Sequence, residues 1–201
     1  MAATCPTPAT AQVFGQFTGA PTVQMNSRLA GAYLTLGDHE TSAIGQLRLS
    51  FHPDLDLGFQ GGVGRLEVAN THRTQVKLGS DLKAYLMKPT KQRTVGLAVD
   101  GAIGIETAEG FTTLLFGPSV VVSSDLRWSR ARAITPYASL GLLYARTESN
   151  GVSDTEASVP LRFGASMQVA SGLDLVAELQ WNASNRTNDD VRFGLGAGFP
   201  F

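Results

Sequence analysis

The stretch VRFGLGAGFPF, residues 191–201, alternates large apolar side chains with much smaller or polar ones. One set of alternate positions is apolar and comprises Val191, Phe193, Leu195, Ala197, Phe199 and Phe201. The intervening set comprises Arg192, Gly194, Gly196 and Gly198. A period of two places the two sets on opposite faces of a β-strand, whereas an amphipathic helix requires a period of 3.6. These residues therefore predict a strand with one apolar face and one face of very small side-chain volume.

The same alternation extends back through most of the chain. Runs that each fit one strand begin near residues 42, 55, 76, 95, 112, 134, 158 and 173, and together with the last strand they make nine. A tenth run, residues 28–37 (RLAGAYLTLG), has two competing phases, because Ala30 and Leu34 compete with Leu29 and Tyr33 for the apolar face. No window sustains a helical period, and we predict an all-β fold.

Turn-forming residues separate the runs and alternate between two ends of the predicted sheet. Short turns are expected at residues 53–55, 89–93, 128–133 and 171–172, and the other connections at residues 38–41, 70–75, 109–111, 148–156 and 183–190. Strands joined in this way pair antiparallel, and an even number lets the first strand pair with the last. The pattern predicts a closed antiparallel up-and-down barrel of ten strands over residues 28–201. Eight strands is the alternative, and Pro118 predicts a bulge or break inside its own run.

Composition indicates which face of this barrel meets water. Only 16% of the residues are charged and 22 of 201 are glycine, whereas soluble domains are about a quarter charged. Twelve of the glycines fall on the polar face: Gly58, Gly62, Gly64, Gly79, Gly96, Gly104, Gly117, Gly141, Gly164, Gly194, Gly196 and Gly198. A narrow lumen favours such small side chains. Alternation alone fits a soluble barrel equally well, but the glycines favour a transmembrane β-barrel whose apolar face contacts membrane lipids.

Charge and cysteine content limit the classes of partner and cofactor. The 16 Lys and Arg oppose 17 Asp and Glu, so the chain lacks the long-range field of a nucleic-acid-binding surface. We expect no nucleic-acid partner. A single cysteine, Cys5, excludes an internal disulfide, and no cluster of Cys and His predicts a metal site. We expect no cofactor and no metal.

Several aromatic residues on the apolar face fall near strand ends. Those toward the long connections are Tyr144, Trp181 and Phe193, and those toward the short turns are Phe51, Phe199 and Phe201. Two aromatic girdles at the lipid–water interfaces are typical of membrane barrels. We therefore predict interfacial positions for Phe51, Tyr144, Trp181 and Phe193.

Two stretches of the chain resemble strands of bacterial outer-membrane β-barrel proteins, specifically the small opacity-porin-like barrels. They are the final strand, which ends at Phe201, and ITPYASLGLLYA, residues 134–145. The resemblance implies a place in the bacterial outer membrane, with both termini in the periplasm. In such proteins the barrel-assembly machinery reads the C-terminal strand with its terminal aromatic residue. The resemblance implies this role for Val191, Phe193, Leu195, Phe199 and Phe201.

Residues 1–27 precede the predicted barrel and are rich in Ala, Thr and Pro. They lack the basic start and the apolar core of an intact signal peptide, so we expect that a secretion signal has been removed or omitted. We predict a flexible or periplasmic segment. Its aromatic residues Phe14 and Phe17 either anchor it at the periplasmic rim or enter the barrel mouth.

Charged residues on the polar face would lie inside the barrel: Arg48, Asp81, Lys83, Asp100, Arg162, Glu178 and Arg192. Such groups must pair or be hydrated, because an isolated buried charge costs several kcal/mol. Lys83 falls across a turn from Asp100, which predicts a cross-strand ion pair. The charges predict either a lumen plugged by salt bridges, in a non-enzymatic barrel with an envelope structural or interaction role, or a small passive porin for small solutes.

A third hypothesis is an outer-membrane hydrolase with its residues at the rim. The candidates in and beside the predicted loops are Asp38, His39, Glu40, Glu67, His72 and Glu106. A histidine beside a carboxylate can act as a general base. No Ser or Cys lies in a recognisable nucleophile motif, so we expect no enzyme activity.

Overall fold

A computed structural model describes residues 15–68, 71–90, 94–129, 132–149, 151–184 and 190–201, and most of them lie in twelve strands. In chain order these are β1 (Arg28–Gly37), β2 (Glu40–His52), β3 (Leu55–Val68), β4 (Thr71–Met87), β5 (Val95–Ala108), β6 (Phe111–Ser124), β7 (Leu126–Ser129), β8 (Arg132–Gly141), β9 (Leu143–Ser149), β10 (Val152–Ala170), β11 (Leu173–Ser184) and β12 (Asp190–Pro200). Among the residues described, no helix has the length and apolar character needed to cross a membrane.

The strands form one closed antiparallel sheet. β1 pairs with β2 on one side and with β12 on the other, and β12 pairs in turn with β11. β8 and β9 are successive halves of one wall strand, because both pair with β6 and with β10. β7 is a short extra strand beside β8. The wall therefore has ten strands, which confirms the predicted closed barrel.

Two prolines account for the interruption between β8 and β9. The pairing register places Leu142 opposite Pro118 of β6, and Gly141 opposite Pro160 of β10. The N–H of Leu142 donates to the oxygen of Pro118 at 3.0 Å. A proline has no N–H with which to return such a bond. The ladder is thus weakened on both sides of one strand at one level. The bulge or break predicted within the run of Pro118 is wrong, because β6 continues unbroken through this residue and the interruption lies in the facing strand, between β8 and β9.

The two faces of the wall have opposite character. Large apolar side chains such as Leu78 and Ile103 are 57% and 54% exposed on the outer face, while most of the described buried side chains are polar or charged. A water-soluble protein shows the reverse arrangement. Burial also settles the phase of β1, because Tyr33 is 3% exposed and Leu34 is 57% exposed.

Three hairpins are longer than the sequence indicates. β3 and β4 remain paired as far as Val68 and Thr71, so the connection predicted at residues 70–75 is wrong. β9 and β10 remain paired as far as Ser149 and Val152, so the loop predicted at residues 148–156 is wrong. β7 and β8 likewise pair within the turn predicted at residues 128–133. Strand pairing requires only main-chain groups. It continues where the apolar alternation stops, and for this reason the alternation underestimates the strand lengths.

Residues 15–23, here called the lumen segment, lie inside the barrel. The segment enters at the end that carries the turns at residues 53–54 and 171–172, here called the short-turn end, where Thr22 Oγ1 donates to Pro53 O at 3.1 Å. Deeper inside, Phe17 and Ala20 are 1% and 0% exposed. Of the two placements considered for the aromatic pair, the structure puts Phe17 in the barrel interior. Phe14 and Cys5 lie outside the described residues.

Candidate functional site in the barrel lumen

The first group of lumen charges, here called the lower cluster, consists of Arg48, Asp56 and Asp81. Arg48 Nη2 lies 2.5 Å from both Asp56 Oδ1 and Asp81 Oδ2. Its Nε and Nη1 donate to the same two carboxylates at 3.1 and 3.2 Å. All three side chains are buried. The planar set of guanidinium donors is thus shared between two carboxylates, so none of these charges is isolated.

A second group, here called the upper cluster, lies nearer the opposite end and consists of Glu40, Lys77, Glu106 and Arg192. Lys77 contacts Glu40, and its Nζ lies 3.0 Å from Glu106 Oε1. Arg192 Nη1 lies 2.9 Å from Glu40 Oε2. These residues come from β2, β4, β5 and β12, so the upper cluster connects strands on both sides of the barrel closure. Neighbouring charges of opposite sign offset their cost of desolvation.

Glu178 on β11 is the centre of a hydrogen-bond network. Tyr137 Oη donates to Glu178 Oε2 at 2.7 Å, and Gln180 Nε2 donates to Oε1 at 2.7 Å. The main-chain N–H groups of Gln16 and Phe17 donate to the same carboxylate at 3.0 and 2.8 Å. The buried carboxylate is therefore surrounded by donors, two of which belong to the lumen segment.

The lumen segment crosses the interior from one wall to another. The side chain of Gln16 donates to Asp100 Oδ2 on β5 at 3.1 Å, while its main chain contacts β11. Phe17 stacks on Tyr33 with ring centroids 4.2 Å apart and an interplanar angle of 9°. A Cβ at Gly194 would lie 2.9 Å from Phe17, and one at Gly196 would lie 2.1 Å from Tyr33. The glycines of the last strand thus provide the space for this ring pair.

Lys83 on β4 holds the lumen segment from the other side. Its Nζ donates to Thr18 Oγ1, Gly19 O and Pro21 O at 3.1, 3.1 and 3.2 Å. The same Nζ lies 3.8 Å from Asp56 Oδ2 in the lower cluster. An ammonium group has three N–H donors. All three have an oxygen acceptor in the segment, so Lys83 links the segment to the lower cluster.

The space beside the lower cluster is small and polar. A cavity of about 30 Å³ is lined by residues that include Gln60, Asp81, Asp100 and Arg162. This volume suits one or two water molecules. Among the described residues, Gln60 Oε1 and Asp100 Oδ1 have no hydrogen-bond partner, and the cavity is therefore polar enough for water.

The structure places all seven sequence-predicted lumen charges inside the barrel. Lys83 and Asp100 are neighbours in the β4–β5 ladder, as expected from the turn. The ion pair predicted between them is nevertheless wrong. Lys83 Nζ turns to the lumen segment, and Asp100 accepts its hydrogen bond from Gln16. The segment supplies partners that the prediction, based on strands alone, did not include.

Sequence reasoning missed four lumen charges, which are Glu40, Asp56, Lys77 and Glu106. Each occupies the polar phase of its strand, so the alternation could have identified them. Glu40 and Glu106 lie close to predicted loops and were therefore assigned to the rim. Sequence reasoning also did not identify the lumen segment as a filling of the barrel, because its residues carry no charge and no strand alternation.

The rim residues considered for a hydrolase are divided between two environments. Glu40 and Glu106 are buried in the upper cluster, whereas His39 and His72 are exposed. The contacts of Glu67 with the two histidines are main-chain contacts. Its N–H donates to His39 O at 2.8 Å, and it is paired with His72 in the β3–β4 ladder. The geometry of these residues does not form a general-base pair.

The side chains of the predicted girdle and the apolar side chains of the final strand lie on the outer face of the barrel. Phe51, Tyr144, Trp181 and Phe193 are 57%, 36%, 39% and 43% exposed on the outside of the wall. β12 closes the barrel between β11 and β1. Beyond its end, Phe201 exchanges two main-chain hydrogen bonds of 2.9 Å with Arg28. The final strand is thus the closing strand of the barrel.

Comparison with known proteins identifies the fold. No protein-family model and no curated protein sequence matches the chain. Among solved structures, the beta domain of the Bordetella autotransporter BrkA matches with a TM-score of 0.61 and 11% identity, over 89% of this chain and 100% of that one. A bacterial polysaccharide outer membrane secretin matches with a TM-score of 0.53 and 12% identity, over 88% of this chain and 65% of that one. The outer membrane protease OmpT from Escherichia coli matches with a TM-score of 0.51 and 10% identity, over 88% of this chain and 97% of that one.

The chain is therefore a closed ten-stranded antiparallel barrel with the fold of bacterial outer-membrane β-barrel proteins. At these identities the likeness shows the fold alone. The matched structures include a protease and an autotransporter domain. The fold by itself does not distinguish an enzymatic from a non-enzymatic role.

Proposed function

We propose that the protein is a non-enzymatic, integral barrel of the bacterial outer membrane, with a closed lumen and an envelope structural or interaction role. The single observation that carries this proposal is the lumen segment, which occupies the centre of the barrel and is bonded to several of its walls. Arg28 and Phe201, the two ends of the wall, pair at the short-turn end. We assign this end to the periplasm.

The outer face supports membrane residence. A tilted strand needs about 9–11 residues to cross a bilayer, and the uninterrupted wall strands have between 10 and 19. Their outward side chains are apolar and exposed. Exposing such area to water costs about 25 cal/mol per Å². Lipid contact removes this cost, and the aromatic residues near the strand ends suit the headgroup region.

The interior supports a closed barrel rather than a conducting one. The lower cluster, the Glu178 network and the upper cluster each join side chains from different strands across the lumen. The stacked rings of Phe17 and Tyr33 lie between the walls. The cavity of about 30 Å³ beside the lower cluster suits one or two waters. A passive porin instead requires a continuous water-filled path.

The partners that we propose are membrane lipids and the barrel-assembly machinery. Lipids contact the apolar outer face. The assembly machinery would read the final strand, whose outward residues Val191, Phe193, Leu195, Phe199 and Phe201 are all exposed. Their place on the closing strand supports this role, because barrel closure depends on that strand.

Planar-bilayer recording of the full chain tests the closed lumen. Insertion of folded protein is verified by its heat-dependent shift in gel mobility, and a known porin in the same bilayers is the positive control. We expect no stable conductance steps from the wild-type chain, because the lumen segment and the charge clusters occupy the interior of the barrel. Uniform, stable steps would contradict closure and would support a passive porin.

A further inference from the structure

The wall binds the lumen segment mainly through the main chain of the segment. Wall side chains accept its N–H groups: Glu178 accepts from Gln16 and Phe17, Ser123 accepts from Ala20, and Asp56 accepts from Val23. The two oxygens at Gly19 and Pro21 that accept from Lys83 are likewise main-chain carbonyls. Main-chain groups are common to every peptide. Most of these contacts therefore do not depend on the side chains of the segment.

The segment is not part of the barrel ladder. The hydrogen bonds described for the main-chain atoms of residues 15–23 join them to side chains. Main-chain bonding to a wall strand is described only from Asn26, whose N–H donates to Ser50 O at 3.1 Å. Each of the ten wall strands pairs with a neighbouring wall strand on both sides without the segment. It follows that the segment can leave the lumen without any strand separating from its neighbour.

Side-chain selectivity is confined to a few positions. The ring of Phe17 occupies the space between Tyr33 and Gly194. Two positions further on, a Cβ at Gly19 would lie 3.3 Å from Ser123 and from Thr135, and Ala20 packs with Ala98 and Val121. An aromatic residue is thus accommodated at position 17, while only small residues fit at positions 19 and 20.

From these contacts we infer that the lumen is a peptide-binding site and that residues 15–23 are its exchangeable occupant. The ligand class is a peptide that carries an aromatic residue followed, after one residue, by two small ones, and that adopts left-handed backbone at the aromatic residue, as Phe17 does with φ 48°. Such a peptide binds from solution once the resident segment is weakened. The inference goes beyond the proposed envelope role, since it concerns recognition and exchange, and it is tested without any measurement of conductance.

The experiment adds a fluorescent peptide of residues 15–23 (GQFTGAPTV) to the full chain in detergent micelles and follows its anisotropy. In the wild-type chain the resident segment competes at an effective concentration on the order of millimolar. Phe17→Ala removes the stacked ring from the resident segment only. We expect the peptide to bind this variant saturably and at least about tenfold more tightly than the wild type, the equivalent of ~1.4 kcal/mol.

Two controls separate lumen binding from adsorption to the micelle. Phe59→Ala makes the same change on the lipid-facing wall, where Phe59 is 43% exposed, and we expect it to behave as the wild type. A peptide with alanine in place of its phenylalanine is expected not to bind Phe17→Ala. Equal binding of the phenylalanine and alanine peptides to Phe17→Ala would overturn the inference. Equal binding of the phenylalanine peptide to the wild type, Phe17→Ala and Phe59→Ala would overturn it as well.

A cross-link identifies the site of binding. With Cys5→Ser and Phe17→Ala in the chain, a peptide that carries cysteine at the position of Ala20 is expected to form a disulfide with Ser123→Cys, because the Ala20 N–H lies 3.1 Å from Ser123 Oγ. Ser80→Cys, on the outward-facing side of β4, is the matched control and is expected not to react. Failure to cross-link at Ser123→Cys in a barrel that keeps its heat-dependent mobility would refute exchange.

Discussion

Gly58 shows how a single lumen residue controls the packing of charges. It lies between Arg48 and Asp81 in adjacent strands of the wall. The guanidinium reaches across it to the carboxylate, and a Cβ at this position would lie 2.3 Å from Asp81 Oδ1 and 2.8 Å from Arg48 Nη1. The absence of a side chain at Gly58 is thus what allows the lower cluster to form.

We predict that Gly58→Ala lowers the free energy of unfolding by about 3 kcal/mol, because separating a buried ion pair leaves charges uncompensated. Urea unfolding in lipid vesicles, followed by tryptophan fluorescence, measures the change. Gly101→Ala is the matched control, since a Cβ there meets nothing within 4 Å. Its effect is expected to stay within about 0.5 kcal/mol. Equal losses in the two variants would show that Gly58 has no special role.

Residue-scale prediction from sequence succeeded where it needed only the phase of a strand. Arg48, Asp81 and Glu178 follow from alternation because their side chains point inward wherever their strands are placed. The partner of Lys83 could not be predicted in the same way. Its acceptors belong to a segment more than sixty residues away in the chain, and no periodic pattern connects the two.

At the scale of strands, the wall has one weakened position. Leu142 and Gly141 face prolines on opposite sides, so their carbonyls lack the donors that the neighbouring strands would otherwise supply. Unpaired main-chain groups facing lipid are unfavourable. We expect this part of the wall to open more readily than uninterrupted pairs such as β3 and β4.

Hydrogen exchange with Pro118→Val tests this expectation. Pro118 faces outward and is exposed, so valine suits the lipid side, and its N–H can donate to Leu142 O. We predict that exchange at the amides around Leu142 slows about fivefold, the equivalent of ~1 kcal/mol. Amides of β3 serve as the internal control and should not change. Unaltered exchange around Leu142 would mean that the missing donor does not govern local opening.

Alternation predicted the elements well inside the apolar band and poorly beyond it. All ten predicted runs correspond to wall strands, including the run at residues 28–37, whose phase is ambiguous in the sequence. The loop predicted at residues 148–156 is instead a paired hairpin. Residues there, such as Glu148 and Asp154, are polar and exposed, since no lipid contact selects apolar side chains at that level. The hydrophobic pattern therefore ends before the hydrogen-bonded ladder does.

For the whole molecule, composition predicted that the interior is crowded and polar, but not what fills it. The many glycines on one face indicated small wall side chains and hence limited space. Part of that space is taken by the rings of Phe17 and Tyr33, and Phe17 belongs to a segment without strand character. A segment held by main-chain contacts to distant side chains leaves no repeating signature in the sequence.

In the function proposed above, residues 15–23 close the barrel from within. A disulfide between Ala20→Cys and Ser123→Cys, in a Cys5→Ser chain folded into lipid vesicles, tests it most directly, because these residues share a hydrogen bond of 3.1 Å. The control pair, Ala20→Cys with the outward Ser80→Cys, should stay reduced. We expect near-complete disulfide formation at position 123 and little maleimide labelling of either thiol. Free labelling of both thiols in the folded barrel would contradict it.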